Sequence, residues 1–212
     1  IVTGLVGSEM CIRDSYKISN NESISFDFLK GRLFNRLKKI EHESLIKKAV
    51  GKNKVKLKIF DATAGSLIDS IIFLKLGHRV VACEHSKILY RLLDDAILRA
   101  KKEYDFFENL SFVNLDSAKI IDNHKDSDIF YFDPMFKDIK QNVKRSGTLQ
   151  KIGHILDLEK LEDTSIQIFD QLLKNKYKKI IVKRPIKSNP LNEKINYQVK
   201  GRAIRYDIYV KT

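Results

Sequence analysis

The stretch VKLKIFDATAG (Val55–Gly65) decides the fold. Its first six residues read as a buried strand, and the small residues of DATAG (61–65) mark an abrupt exit into a loop. A helix from about residue 66 to 76, stopped by Gly77, follows, and RVVAC (79–83) is the next strand. The alternation then continues. A helix over 87–102 carries Ile88, Leu89, Leu92, Leu93, Ile97 and Leu98 at helical spacing. SFVNL (111–115) and DIFYF (128–132) are short strands, a long helix near 157–175 follows, and KIIVK (179–183) and YDIYV (206–210) are the last two strands. Upstream, ISFDF (24–28) alternates apolar and polar residues and suits a short strand. A Lys-rich helix over 35–50 turns Leu37, Ile40, Leu45, Ile46 and Val50 inward and stops at Gly51.

Strands alternating with helices pair in parallel through crossovers, so the fold class is α/β, a doubly wound and mostly parallel sheet. The final strand follows a loop without a helix. It is therefore expected to lie antiparallel beside 179–183, because a parallel partner needs a crossover.

At 212 residues the chain supports one sizeable core. Forty Lys and Arg against 27 Asp and Glu give a net charge of +13, which points to a polyanionic partner such as nucleic acid. Cys11 and Cys83 are too few and too far apart for a disulfide framework or a zinc site, so no metal and a reducing cytoplasm are expected. No apolar run reaches the roughly 18–20 residues needed to cross a bilayer, so no membrane role is expected. Residues 1–15, IVTGLVGSEMCIRDS, lack a basic segment and a clear cleavage site, and are read as a non-native or disordered tail. Residues 16–52 then form an N-terminal extension of short strands plus helix, and 53–212 the main domain.

In such a sheet, ligands bind outside the carboxyl ends of the strands, where the winding reverses. At the first strand end, Asp61 opens a loop in which Ala62, Ala64 and Gly65 let a ligand approach the backbone. Glu84 ends the next strand, close to the roughly 20-residue interval at which an acid meets ribose hydroxyls. Asp116 and Asp133 end the two strands after that. Singly, each acid reads equally well as a helix N-cap; four at successive strand ends form a cup. Gly65 is followed by Ser66, Leu67 and Ile68 instead of the glycines of a dinucleotide fingerprint. With no pyrophosphate to cradle, the pattern suits S-adenosylmethionine.

The blocks FDATAGSLIDS (60–70), ACEHS (82–86), YFDPMF (131–136), IIVKRP (180–185) and RYDIYV (205–210), in this order, resemble the ribosomal RNA small-subunit methyltransferase J family over residues 24–212. The resemblance implies a seven-stranded class I methyltransferase (Rossmann-like) fold with an antiparallel C-terminal strand. It implies S-adenosylmethionine as cofactor and methylation of the exocyclic N2 amine of a guanosine in 16S rRNA. Carried over by motif, cofactor contacts fall on Ile68, Asp69, Glu84, His85, Asp116, Ser117 and Asp133, beside Asp61, Ala62 and Gly65. Three departures are visible. The family's second glycine and basic residue after DATAG are here Leu67 and Ile68, its Gly/Arg-rich upstream stretch is KKIEHES (38–44), and Lys137 stands where proline is common.

The chemistry of that family gives YFDPMF its roles. An aromatic amine is a poor nucleophile and must be held in line and polarised by acceptors, for which Asp133 and the Pro134 carbonyl are placed at the right strand end. Phe136 would stack on a base taken out of its helix. Lys137, Lys140, Lys144, Arg145 and Lys151, with Lys183, Arg184 and Lys187 on the same face, would neutralise RNA phosphates, and 137–151 reads as a mobile substrate loop around Gly147. Arg184 would hold a phosphate in bidentate fashion. The partner is then 16S rRNA or the small ribosomal subunit, and the protein a monomer. Two alternatives stand beside this: methylation of another exocyclic amine such as adenine N6, or a catalytically silent RNA-binding factor, which Leu67 and Ile68 favour.

Overall fold

A computed structural model describes residues 14–19, 22–51, 55–134 and 147–211. Strands β1 (Tyr16–Ser19) and β2 (Glu22–Ile24) form a small antiparallel pair, followed by helices α1 (Gly31–Lys38) and α2 (Ser44–Val50). The alternating part runs β3 (Lys58–Asp61), α3 (Ile68–Lys75), β4 (Arg79–Cys83), α4 (Lys87–Lys101), β5 (Leu110–Val113), α5 (Ser117–Ile120) and β6 (Ile129–Phe132). Then come α6 (Gly147–Leu158), α7 (Ser165–Lys174), β7 (Lys179–Pro185), β8 (Tyr197–Lys200) and β9 (Ile204–Val210). Seven strands form one sheet in the order β5-β4-β3-β6-β7-β9-β8. β3 to β7 are parallel, and β9 lies antiparallel beside β7 as expected.

Residue parity divides the core. In β3, β6 and β7, Ile59, Tyr131 and Ile181 pack on one face with α3, α4 and the N-terminal helices. Phe60, Phe130, Phe132, Ile180 and Val182 pack on the other with Ile168, Phe169 and Leu172 of α7. All four residues of β6 are buried, the continuous apolar run that a central parallel strand requires. The N-terminal segment shares the first core: Ile24, Phe28, Leu37 and Ile46 belong to the same cluster as Ile71 and Leu93.

Four expectations need correction. ISFDF does bury Ile24, Phe26 and Phe28 alternately, but it has no ladder partner beyond Ile24; Arg99 Nη2 donates to the Phe26 carbonyl at 2.9 Å instead. The helix over 35–50 is two helices joined by a 3-10 turn at Ile40–His42. At 100° per residue, Leu37 and Ile46 would face opposite sides of one straight helix, and the break lets both reach the core. The helix near 157–175 is also two. α6 ends at Leu158, and two residues on Lys160 turns left-handed, φ 52°, with the Leu161 N–H returning to the Leu156 carbonyl at 3.1 Å. Residues 147–151, expected in a mobile loop, are the first turn of α6. The seventh strand of the sheet is β8, at its edge beside β9.

Candidate active site

From β3 the sheet extends through β4 and β5 on one side and through β6 and β7 on the other, so the winding reverses between β3 and β6. In open α/β sheets this switch point, outside the carboxyl ends of the strands, is where ligands bind. DATAG leaves β3 and YFDP leaves β6, side by side. The Ala62 N–H donates to the Tyr131 carbonyl and the Ala64 N–H to the Cys83 carbonyl, both at 3.0 Å, so the loop stays tied to both neighbouring strands.

Gly65 has φ +52°, and a Cβ there would meet nothing closer than the Thr63 carbonyl oxygen at 3.8 Å. The approach to the loop is open. Leu67 also adopts a left-handed conformation, φ 61°, yet its side chain is fully buried in the core cluster. The backbone costs roughly 1–2 kcal/mol for a non-glycine residue, and burying the leucine offsets it by a similar amount. Leu67 therefore packs beneath the loop and leaves the cup clear.

The acids of the cup do different things. Asp61 is buried, and its carboxylate accepts from Ser70 Oγ at 2.5 Å and from the Thr63 N–H at 3.0 Å. Thr63 Oγ1 in turn accepts the Asp133 N–H at 2.7 Å, so one hydrogen-bonded chain links the β3 loop to the β6 loop. Glu84 is buried and accepts the Ser86 N–H at 2.8 Å, while Ser86 is the N-cap of α4. Asp116 follows the bland reading in part: it caps α5 by accepting the Ala118 N–H at 3.0 Å. Ser117 is buried beside it, His85 is exposed, and Ile68 is partly exposed at the first position of α3.

Burial pushes Asp61 up to about 7, against the pull of its Ser70 and Thr63 hydrogen bonds. An acid whose folded pKa lies above its unfolded value near 3.8 loses stabilisation as pH rises from about 4 through 7. Asp61→Asn keeps an acceptor for Thr63 and removes the charge. It should raise the melting temperature of the ligand-free protein by about 4–8 °C at pH 8, taking roughly 2 kcal/mol, and leave it nearly unchanged at pH 5. Calorimetric scans at the two pH values check this.

Asp69 and Asp133 meet at Lys183. Lys183 Nζ donates to Asp69 Oδ2 at 2.6 Å and to Asp133 Oδ2 at 2.8 Å, and the Tyr131 hydroxyl donates to Asp69 Oδ2 at 2.5 Å. Burial opposes the charge on Lys183, yet Asp133 and Asp69 together hold its pKa above the ordinary lysine range. Lys183 and Arg184 were expected on one phosphate-facing surface. They lie within β7 on opposite faces, because successive strand residues alternate. Lys183 is occupied by two carboxylates in the cup, and Arg184 is buried on the α7 side, with Nη2 on the Asn189 carbonyl at 2.6 Å. Phe136, Lys137, Lys140, Lys144 and Arg145 lie outside the described residues.

Three supporting residues carried no sequence signal. Asn114 Nδ2 donates to the Glu84 carbonyl at 2.8 Å and bridges the turn after β4. Thr63 sits inside DATAG but reads as a spacer. Glu159, just past α6, accepts from Ser86 Oγ and from the Lys87 N–H at 3.0 Å, fastening the end of α6 over the start of α4.

A family model described as "Putative SAM-dependent methyltransferase" matches residues 7–211. The chain belongs to this family. It is an S-adenosylmethionine-dependent methyltransferase, and its sheet is that of a solved SAM-dependent methyltransferase from Neisseria gonorrhoeae, which aligns with a TM-score of 0.68 at 23% identity over 93% of this chain and 79% of that one. Ribosomal RNA small subunit methyltransferase J of Francisella tularensis is 31% identical over 197 residues, 90% of this chain and 81% of that protein. The protein of the same name from Bdellovibrio bacteriovorus is 31% identical over 194 residues, covering 88% and 74%. The methyltransferase cup fits the cofactor. The backbone at Gly65 leaves room for a ligand, and the buried Glu84 carboxylate, whose pKa burial raises to about 7, offers an acceptor of the kind a ribose diol needs.

Proposed function

We propose that this methyltransferase modifies the exocyclic N2 amine of a guanosine in small-subunit (16S) rRNA, as rRNA or within the small ribosomal subunit. One observation carries the reading. Asp133 is fixed by its N–H on Thr63 and by Oδ2 on Lys183, while Oδ1 has no hydrogen bond among the described residues, and the side chain is 34% exposed beside the Gly65 loop. The names of the 31%-identical relatives support the rRNA substrate.

When bound, S-adenosylmethionine supplies a methyl group activated by its sulfonium charge. Glu84 would hold its ribose, the backbone of Ala62 and Gly65 its approach to the loop, and Ile68, His85, Asp116 and Ser117 its adenine end. The guanine amine has its lone pair drawn into the ring. Asp133 Oδ1 and the Pro134 carbonyl accept its N–H groups, aim the lone pair, and stabilise the positive charge that develops on nitrogen. The proton leaves from the cationic product, so no general base is needed. Phe136, outside the described residues, is the ring proposed for the base to stack on.

Methyl transfer to unmodified small-subunit particles and to naked 16S rRNA, with mass mapping of the product, tests the reading. A methyl group on a guanosine N2 is the expected result. Product on adenine N6 would transfer the assignment to the other exocyclic amine, and no product on either substrate would remove rRNA as the target.

A further inference from the structure

We propose that the groove between α1 and the turn that follows it is the surface on which the RNA backbone docks beside the cup, an inference that rests on the rRNA reading above. The groove has a volume of about 450 Å³ and is lined by Arg32, Asn35, Arg36, Lys39, His42 and Glu43. Its one carboxylate is already neutralised: Arg36 Nε and Nη2 donate to Glu43 Oε1 and Oε2 at 2.7 and 2.9 Å. His42 faces Glu41 at 3.4 Å. Arg32 and Lys39 are exposed and make no ion pair among the described residues, so the groove carries surplus positive charge.

Two observations join this groove to the chemistry. α1 packs against α3, whose first turn carries Asp69. Arg36, held charged first by its hydrogen bond to Glu43, also lies within electrostatic reach of Asp69, which is bound to Lys183 in the cup. The groove therefore adjoins the cup through α3. The cations expected to hold phosphate on β7 are not available for it, since Lys183 is clamped by two carboxylates and Arg184 is buried. The planar fork of donors on a guanidinium such as that of Arg32, unpaired among the described residues, can hold phosphate oxygens in bidentate fashion. A strand of RNA whose target base enters the cup would run its phosphates along Arg32 and Lys39.

The test uses the full chain with Arg32→Gln/Lys39→Gln and Arg32→Glu/Lys39→Glu. Binding of 16S rRNA is followed by fluorescence anisotropy over a salt series, S-adenosylmethionine binding by calorimetry, and methyl transfer by initial rates. The Gln pair should weaken RNA binding about tenfold and make the slope of log affinity against log salt shallower by roughly two, and the Glu pair should weaken it further. KM for RNA should rise with kcat held, and cofactor affinity and melting temperature should stay at wild-type values. RNA affinity and salt slope unchanged in both variants, while the wild type still methylates the RNA, would overturn the groove and leave the function standing. Unchanged RNA binding with lost binding of polyglutamate would assign the groove to an acidic protein instead. A wild type that binds S-adenosylmethionine but neither binds nor methylates 16S rRNA would overturn both readings.

Discussion

Asp133→Ala should reduce kcat for methyl transfer by about 10²–10³-fold, the loss that follows removal of one acceptor or donor aimed at developing charge. The reason is local. The variant keeps the backbone N–H on Thr63, so the β6 loop stays attached to DATAG, and Lys183 keeps Asp69 as a partner. The fold should therefore survive, with RNA still bound through cations elsewhere. Asp133→Asn presents an amide of the same shape. It should recover part of the rate through its carbonyl oxygen but not the charge stabilisation. Single-turnover rates at saturating cofactor and RNA separate the chemical step from binding. Full activity in Asp133→Ala would remove the carboxylate from the chemistry.

The parts of this site that were legible in the sequence are those that short-range rules dictate. A parallel sheet delivers its functional residues at strand exits, so Asp61, Glu84, Asp116 and Asp133 could be found from where the apolar runs of β3, β4, β5 and β6 end. The edge strand β8 could not, because Tyr197–Lys200 is mostly polar and half-exposed and has no burial pattern to announce it. α6 did carry a signal: Leu149, Ile152, Ile155 and Leu156 stand at helical spacing, outweighed in reading by Gly147. Glu159 and Ser86 are 73 residues apart, and nothing short of the packing of α6 on α4 brings them together. Lys183 was misplaced for a different reason. Counting by twos from Ile181 puts Lys183 on the α3 face and Arg184 opposite it, and ending the strand at Lys183 instead of Pro185 hid that parity. Leu67, whose letter in the motif left open crowding of the cofactor or packing beneath the loop, is accommodated by a left-handed backbone and a core pocket that only the fold supplies.

Lys183→Met should lower stability and shift the pH dependence of the reaction together. The ammonium lies between Asp69 and Asp133, and its removal leaves two carboxylates facing one another with no cation between them. Stripping one partner from a fully buried pair costs about 3–5 kcal/mol. Here the side chains of Lys183 and Asp133 are 23% and 34% exposed, so the loss should be nearer 2 kcal/mol, or about 4–8 °C in melting temperature. The sign with pH follows from what the cation favours. Burial already raises the Asp133 pKa against the pull of Lys183, so without the ammonium it rises further, and the folded state holds a proton that the unfolded state releases. Stability then falls as pH rises above the ordinary carboxylate range, and the gap in melting temperature between wild type and variant should widen from pH 5 to pH 8. The rate moves in the same direction. The charge stabilisation by Asp133 exists only when the carboxylate is ionised, so the acidic limb of the kcat profile should shift to higher pH in Lys183→Met. Lys183→Arg keeps the charge and should hold the limb near its wild-type position even if the bulkier group lowers kcat. A purely structural lysine would lower stability equally at every pH and leave the limb in place, and that outcome would detach Lys183 from the chemistry of Asp133.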